Sequence, residues 1–235
     1  MKKIPETDLS RKIYYHLLIP FYGKFPVISL FKLFNKFDKW RKEHSGTYPV
    51  TLTREEMYSS VFDKFSNKKI NVLEFGVFKG ESLQKFLQLN SHEDSRFYGF
   101  DTFTGLPDDW NDLTRKLPRG TFNTDGKFPD ITDPRVSFVR GKFEETLPGF
   151  LKNYQPVSNL VIHIDSDLYN SAKFVLDNCS HLFTGNCVII FDEFYSLAHE
   201  FIALYEFCES TGRKYRVICG TKNYVQIAII FNTEN

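Results

Sequence analysis

The sequence predicts an α/β fold, with a mostly parallel sheet that carries helices on both faces. From residue 70 onward, short apolar runs of strand length alternate with longer segments of helical periodicity, and repeated units of this kind build parallel sheets. The last two apolar runs, "YRVICG" and "YVQIAIIF", are joined by a very short link, which favours an antiparallel hairpin at one edge. The length of 235 residues suits one such domain with a small extension.

Composition and charge argue against several classes of function. With 42% hydrophobic and 25% charged residues, the chain has the balance of a globular protein with a sizeable core. The formal net charge of +1 gives no electrostatic reason to expect a nucleic-acid partner. We see no secretory signal and no clean apolar stretch long enough to span a bilayer, and therefore expect a cytoplasmic protein without a transmembrane segment. Four cysteines without a CxxC pair predict buried thiols in a reducing compartment.

Residues 1–52 are predicted to form a helical N-terminal extension that prolines interrupt. Within it, residues 27–40 place Ile, Leu and Phe side chains near one helical face and lysines on the other. Such a face needs a surface to cover it, so we expect the extension to act as a lid or to form a homo-oligomer contact. Peripheral attachment to a membrane is the alternative.

The second predicted domain spans residues 53–235 and begins with a helix-start signal. Thr53 is followed three residues later by Glu56, which is the spacing of a capping box. Residues 106–134 lack any periodicity, and a loop of that length in a compact domain is usually a lid or a substrate wall. The strands expected before the hairpin are, in chain order, "INVLEFG", "RFYGFD", "RVSFVRG", "NLVIHID" and "NCVIIFDE".

The stretch "LEFGVFKGES" predicts a ligand-binding turn. A strand ends near Glu74, and Gly76 and Gly80 bracket the turn into a helix. Glycines let a ligand approach the backbone, and a helix N-terminus favours a polar or anionic group. Asp101 ends the next strand, where nucleotide-binding folds hold the ribose hydroxyls. Together these residues favour a nucleotide-type cofactor over a purely structural turn.

Acidic residues follow two further strands at the point where each strand ends. Asp165 and Asp167 follow "NLVIHI", and Asp192 and Glu193 follow "NCVIIF". Adjacent strands lie about 4.8 Å apart, so their carboxyl ends can present these acids to one point. Crowded carboxylates repel unless a cation compensates them, and oxygen ligands in this number suit Mg²⁺, or else Ca²⁺ or Mn²⁺. Asp167 could instead cap the helix that follows.

Five motifs, taken in their order along the chain, resemble those of the macrocin O-methyltransferase family. The motifs are "LEFGVFKGES", "FYGFDTFTGLPDDW", "VRGKFEETLP", "HIDSDLYNS" and "GNCVIIFDEF", which run from about residue 70 to 195. Members of that family are class I S-adenosylmethionine-dependent enzymes with a Rossmann-like sheet, and they methylate sugar hydroxyls of natural products with a divalent metal. "GFD-x-F-x-GLP" and "D-x-DLY-x-S" are far more specific than the glycine turn.

The resemblance implies roles for individual residues. The metal ligands would be Asp165, Asp192 and Glu193, although the family usually has a second Asp at the position of Glu193. The glycine turn would line the methionine part of S-adenosylmethionine, Asp101 would take the ribose, and residues 140–143 would lie along the adenine. The full cofactor set is expected to be Glu74, Gly76, Val77, Gly80, Ser82, Asp101, Thr102, Gly141, Lys142, Phe143 and Asp165.

The predicted activity is methyl transfer to a hydroxyl of a small acceptor, with a sugar of a natural product or polysaccharide as first choice. We expect Asp165 to be the general base and His199 to face the acceptor as a second catalytic residue, with Asp167 as the alternative base. Three alternatives stay open. They are a catechol-like acceptor, an NAD(P)-dependent oxidoreductase, and a non-catalytic relative that only binds S-adenosylmethionine. The oxidoreductase is disfavoured because the turn is E-x-G-x-x-x-G rather than G-x-G-x-x-G.

Overall fold

The computed structural model describes residues 27–111 and 116–232. The chain divides into two compact units, Met1–Glu43 and His44–Asn235. Helix α1 (Val27–His44) begins in the first unit. Along this helix, the rings of Phe37 and Trp40 stack with centroids 5.7 Å apart, and Arg41 pairs with Asp38 at 3.2 Å. The part of the predicted extension that falls on residues 1–26 lies outside the described residues. The boundary at residue 52, the lid role and the homo-oligomer contact stay predictions.

The second unit is built on a mixed sheet of eight strands, counted over the described residues. The strands of this unit are β1 (Val50–Thr51), β2 (Asn71–Phe75), β3 (Arg96–Asp101), β4 (Trp110–Asn111), β5 (Lys116–Leu117), β6 (Val136–Arg140), β7 (Leu160–Ile164), β8 (Cys187–Phe191), β9 (Tyr215–Thr221) and β10 (Ile227–Phe231). The order across the eight-stranded sheet is β1-β9-β10-β8-β7-β2-β3-β6. A separate two-stranded ribbon, β4 with β5, lies in the long loop.

The predicted fold class is confirmed. Strands β8, β7, β2, β3 and β6 pair in parallel, while β10 is antiparallel to both β8 and β9. The predicted hairpin is therefore β9 with β10, and the short strand β1 adds a further parallel pairing outside β9. Sequence patterns did not reveal β1 because two residues are too few to show a period of two.

Helices connect the strands as the periodicity predicts. The predicted N-cap is confirmed, since the Thr53 hydroxyl accepts a hydrogen bond from the Glu56 amide at 3.1 Å. The Glu56 carboxylate accepts its bond from the Leu52 amide at 2.9 Å, one residue before the N-cap, rather than from the Thr53 amide of a capping box. One segment departs from the prediction, because the expected helix after β8 starts as a π-helix (Leu197–Phe201). The α-helices of this unit are α2 (Arg54–Asp63), α3 (Glu81–Leu89), α4 (Phe143–Asn153), α5 (Tyr169–Cys179) and α6 (Ile202–Thr211).

The central strands are continuous apolar runs because helices cover both faces of the sheet. Every residue of β2, β7, β8 and β10 is buried. Cys179, Cys187 and Cys219 are buried free thiols, as predicted, whereas Cys208 is half-buried. Among the helices of the described residues, none combines the length and the apolar character that crossing a bilayer requires.

Candidate active site

A cavity of about 600 Å³ opens at the carboxyl ends of β2, β3, β6, β7 and β8. This is the edge at which open α/β sheets bind their ligands. Among the described residues, nine carboxylic side chains line the cavity against three cationic ones, Arg54, Lys79 and Lys142, so these walls favour a cationic ligand or a metal ion over an anion. The acids are Glu81, Asp101, Asp108, Glu144, Glu145, Asp165, Asp167, Asp192 and Glu193.

The glycine turn forms one wall and depends on Gly76. Gly76 has φ +96°, and an added Cβ would lie 1.8 Å from the carbonyl oxygen of Asp165. Asp101 holds the turn in place, because one of its carboxylate oxygens accepts hydrogen bonds from the Val77 and Phe78 amides at 2.8 Å each. Its other oxygen accepts the Phe103 amide at 2.7 Å. Asp101 is thus a backbone anchor for the turn as well as a cavity residue.

Most of the predicted cofactor residues share this cavity, whereas three do not line it. Glu74 is fully buried beneath the sheet edge. Gly80 meets the long loop, since an added Cβ would lie 2.9 Å from Pro129, and a Cβ on Gly141 would lie 2.8 Å from Thr146. The cofactor roles of all these residues stay predictions. Those that line the cavity are Gly76, Val77, Ser82, Asp101, Thr102, Lys142, Phe143 and Asp165.

Beneath the cavity floor, His163 joins two carboxylates. Its Nδ1 lies 2.9 Å from Glu74 Oε1, which also accepts a hydrogen bond from the Ser82 hydroxyl. Its Nε2 lies 3.5 Å from Asp192 Oδ1 and 3.2 Å from the Tyr58 hydroxyl. Burial alone would lower the pKa of His163, but its bonds to Asp192 and Glu74 raise it to about 10. His163 is a packed interior side chain that links Glu74 and Asp192.

Asp165 and Asp192 come together at the cavity floor, as predicted. Ligand atoms of Asp165, Asp192 and His163 all lie within 4.8 Å of one another. Burial and the neighbouring charge of Asp192 raise the pKa of Asp165 well above its usual value. Burial likewise favours a higher pKa for Asp192, but His163, Arg54 and Tyr58 outweigh it and the pKa falls. Because both ring nitrogens of His163 are engaged, the carboxylates are the ligand atoms that remain for a hard cation.

Glu193 lines the cavity without joining that cluster. Its backbone amide donates to Glu200 Oε2 at 2.9 Å. Glu200 is fully buried in the π-helix, and its Oε1 has no hydrogen-bond partner among the described residues. Burial raises the pKa of Glu200 well above its usual value. Sequence reasoning missed Glu200 because it stands inside an apolar helical pattern, where nothing distinguishes it from a surface acid.

Arg54 is the second residue that sequence reasoning missed. It is the first residue of α2, and its Nη1 lies 3.6 Å from Asp192 Oδ2. Its guanidinium also lies 5.8 Å from the centre of the Tyr58 ring. Tyr58 comes from the same helix and donates to Asp192 Oδ1 at 2.8 Å. No motif could have revealed this pair, because α2 meets β8 only through the tertiary fold.

His199 lies beside the cavity but does not line it. Its Nδ1 accepts a hydrogen bond from the Tyr169 amide at 3.2 Å, and its Nε2 donates to the Asn111 carbonyl at 3.0 Å. Burial lowers the pKa of His199, which suits this neutral tautomer. His199 thus ties β4 to the start of α5. Its catalytic role stays a prediction, and it would require one of these two hydrogen bonds to break.

Asp167 and the long loop complete the cavity wall. Asp167 has φ +60° and lines the cavity, while α5 begins two residues later with Leu168 at its N-cap. Leu106 and Phe122 belong to the long loop and also line the cavity, and Leu106 packs with Trp110 and Leu168. The loop is therefore part of the wall, as predicted.

Comparison with known families identifies the class of protein. A family model described as a methyltransferase domain matches residues 73–194, which is more than half of the chain. The chain belongs to this methyltransferase family. It is an S-adenosylmethionine-dependent methyltransferase, and the oxidoreductase alternative is therefore wrong. No curated protein matches the sequence of the methyltransferase.

Solved structures share the fold of the methyltransferase. A structure of CalS11, the calicheamicin methyltransferase, has a TM-score of 0.60 at 22% identity and covers 98% of this chain and 97% of its own. An apo structure of CalS11, named as a TDP-rhamnose 3'-O-methyltransferase of calicheamicin biosynthesis, gives 0.53 at 19% identity, with 97% and 96% covered. The O-methyltransferase NovP gives 0.57 at 20% identity, with 75% and 78% covered. At such low sequence identities, the similarity to these structures shows a shared fold and nothing beyond it.

Proposed function

We propose that this methyltransferase transfers a methyl group from S-adenosylmethionine to a hydroxyl of a small acceptor, and that it uses a divalent cation held by Asp165, Asp192 and Glu193. The observation that carries the proposal is the meeting of Asp165 and Asp192 on the floor of an acidic cavity. That floor adjoins the glycine turn, because Gly76 packs directly on the backbone of Asp165. Donor and acceptor sites would therefore share one wall.

The donor set fits a hard cation. Burial and the charge of Asp192 raise the pKa of Asp165 well above its usual value, so a cation bound beside Asp165 would favour its ionised form. Glu193 is longer than Asp by one methylene, and the bond from its amide to Glu200 fixes its backbone at the cavity wall. When bound, Mg²⁺ or a similar ion supplies charge stabilisation for a hydroxyl that loses its proton.

The residues of the chain would divide the remaining tasks. The turn from Gly76 to Gly80 would receive the methionine part of the cofactor, Asp101 would lie near the ribose, and Lys142 and Phe143 would lie near the adenine. Support comes from the cavity that Gly76, Asp101, Lys142 and Phe143 share. Phe143 also packs edge-on against Phe75 at 5.3 Å, which fixes its ring. The acidic lining suits the positively charged sulfonium and ammonium groups of the cofactor.

Asp165 is our choice for the residue that takes the proton of the acceptor hydroxyl. It lies at the meeting point of the turn and the acid cluster, whereas both ring nitrogens of His199 are hydrogen-bonded to backbone groups. Asp167 is the alternative base, because it lines the same cavity two residues later. A general base within reach of the hydroxyl contributes on the order of 100-fold or more to the rate.

For the acceptor we propose a sugar hydroxyl. This choice is supported by the macrocin-type motifs and by the fold shared with CalS11, a TDP-rhamnose 3'-O-methyltransferase. A catechol-like acceptor is the second candidate, because metal-dependent methyltransferases of that type arrange their acids in a similar way. We further propose that the protein belongs to the macrocin subgroup, acts in natural-product biosynthesis and is located in the cytoplasm.

One experiment tests the proposal as a whole. Purified protein is incubated with S-adenosylmethionine and with panels of nucleotide sugars, free glycosides and catechols, each with Mg²⁺ or with a chelator. We expect methylated sugar in the presence of Mg²⁺ and none with the chelator. Methylation of catechols alone would replace the acceptor class. Binding of S-adenosylmethionine without turnover on any acceptor would favour the non-catalytic alternative.

A further inference from the structure

We propose that Arg54 is an internal counter-ion of the acid cluster, and that a divalent cation must displace its guanidinium in order to bind. The inference rests on the proposed metal site, and it adds a residue whose positive charge opposes cation binding at that site. It follows from which atoms of Asp192 are already occupied, from how loosely Arg54 is held, and from where its side chain can go.

The two oxygens of Asp192 have different partners. Oδ1 accepts the Tyr58 hydroxyl at 2.8 Å and lies 3.5 Å from His163 Nε2. Oδ2 faces Arg54 Nη1 at 3.6 Å. A cation shared between Asp192 and Asp165 would need an oxygen that the interior network has not taken, and that oxygen is Oδ2. Arg54 and the cation therefore compete for the same atom.

Charge adds to this competition. Burial alone would lower the pKa of Arg54, but Tyr58, Asp192 and Asp165 raise it, which places the guanidinium within the field of both acids. Arg54 carries one positive charge and the ion carries two, and their repulsion at a few ångströms is large at the effective dielectric of a partly enclosed site. Simultaneous occupation of the cluster by both is therefore unfavourable.

Arg54 is held by charge rather than by directed hydrogen bonds. Its ion pairs with Asp192, Glu55 and Glu81 measure 3.6, 3.8 and 4.0 Å, and no hydrogen bond of its guanidinium is found among the described residues. A well-formed pair between Arg and a carboxylate has N–O distances of about 2.7–2.9 Å. The Arg54 side chain is 32% exposed, so it can leave the cluster without unpacking the core.

The rim offers the displaced guanidinium a new position. Glu55 and Glu81 have side chains that are 57% and 78% exposed, and both already lie close to Arg54. The backbone of α2 stays fixed by the Thr53 cap. Arg54 can therefore rotate from Asp192 toward these rim acids while its helix remains in place, which is the motion of a single side chain.

The test is titration calorimetry of the full chain with Mg²⁺ and, as a more tightly binding probe, Mn²⁺, in the absence of S-adenosylmethionine. We expect Arg54→Gln and Arg54→Ala to bind the ion about tenfold more tightly than the wild type, which corresponds to about 1.4 kcal/mol. The matched control is Arg216→Ala, because Arg216 is exposed on β9 and its loss changes net charge equally. Asp192→Asn should abolish the signal in every background.

Every outcome of this titration either supports or overturns the inference. Binding by an Arg54 variant but not by the wild type supports the inference in its strongest form. Wild-type binding that both Arg54 variants leave unchanged or weaken overturns the inference and leaves the proposed metal site standing. An absence of binding in the wild type and in both variants overturns the inference and the metal site together. A gain equal to that of Arg216→Ala assigns the effect to net charge and also overturns the inference.

Discussion

A Cβ atom on Gly76 would lie 1.8 Å from the carbonyl oxygen of Asp165, so the cofactor turn and the acid cluster are packed backbone against backbone. Backbone hydrogen bonds flank this contact on both sides. The Gly76 amide donates to the Phe100 carbonyl at 2.9 Å, and the Asp165 amide donates to the Phe75 carbonyl at 2.9 Å. Any change at Gly76 must therefore move the strand end that carries Asp165.

Replacing Gly76 by Ala should be severely destabilising. The substitution combines a left-handed φ of +96° with a steric clash against backbone, and we expect a loss of about 3 kcal/mol or more in the free energy of unfolding. Gly46→Ala is the control, because Gly46 has φ +75° with nothing within 4 Å of an added Cβ. It should cost about 1 kcal/mol. Urea denaturation measures both, and equal losses would contradict the packing argument.

Replacing Asp165 by Asn should separate turnover from cofactor binding. The carboxylate is the proposed base and metal ligand, so we expect the rate of methyl transfer to fall by at least about 100-fold. The affinity for S-adenosylmethionine, measured by calorimetry, should stay within a few-fold because Gly76 and Asp101 are unchanged. Asp177→Asn is the control, since Asp177 pairs with Lys173 on an exposed face of α5. Activity that survives Asp165→Asn would refute the metal-site proposal.

Replacing Glu200 by Gln should change how stability depends on pH. The folded pKa of Glu200 lies well above the ordinary value of 4.5, so folding takes up a proton between these values. Its contribution to stability is therefore complete below pH 4.5 and is lost as pH rises through the folded pKa. Gln keeps an oxygen for the Glu193 amide but cannot titrate.

We therefore expect the stability of Glu200→Gln, relative to wild type, to increase as pH rises above 4.5. Urea denaturation at several pH values, with chelator present, measures this difference. Glu200→Leu serves as the contrast, because it removes both the titration and the acceptor for the Glu193 amide. Parallel pH profiles of wild type and Glu200→Gln would contradict the prediction.

Acid should loosen the contact between β4 and α5 through His199. Burial holds the folded pKa of His199 below its ordinary value of 6.5, and protonation would remove the acceptor that its Nδ1 offers to the Tyr169 amide. The stability due to neutral His199 is therefore present above pH 6.5 and is lost as pH falls through the folded pKa. The protection factor of the Tyr169 amide against hydrogen exchange should fall over that range.

His199→Gln tests the assignment, because glutamine cannot titrate there. We expect this variant to lose the part of the acid-dependent fall in protection that belongs to His199. If hydrogen exchange at Tyr169 keeps the wild-type pH profile in His199→Gln, another group must control the contact. Methyl transfer by the same variant at neutral pH separates this structural role from the predicted catalytic one.

The sequence by itself determined the parts of this protein that local patterns encode. Apolar runs predicted the five parallel strands and the β9–β10 hairpin, because strands covered on both faces must be continuously hydrophobic. The positions of Asp165 and Asp192 at strand ends then predicted that these two acids would meet, since parallel strands place their carboxyl ends at one edge.

Only the tertiary structure decided which groups surround those acids. Arg54 and Tyr58 reach Asp192 from a helix that precedes the family match, and Glu200 reaches Glu193 from a π-helix that follows it. His199 joins β4 to α5 through backbone hydrogen bonds, which its predicted place at the acceptor did not reveal. Such contacts join residues far apart in sequence or in irregular backbone. No residue spacing in the sequence therefore reveals these contacts. The packing of helices against the sheet determines them.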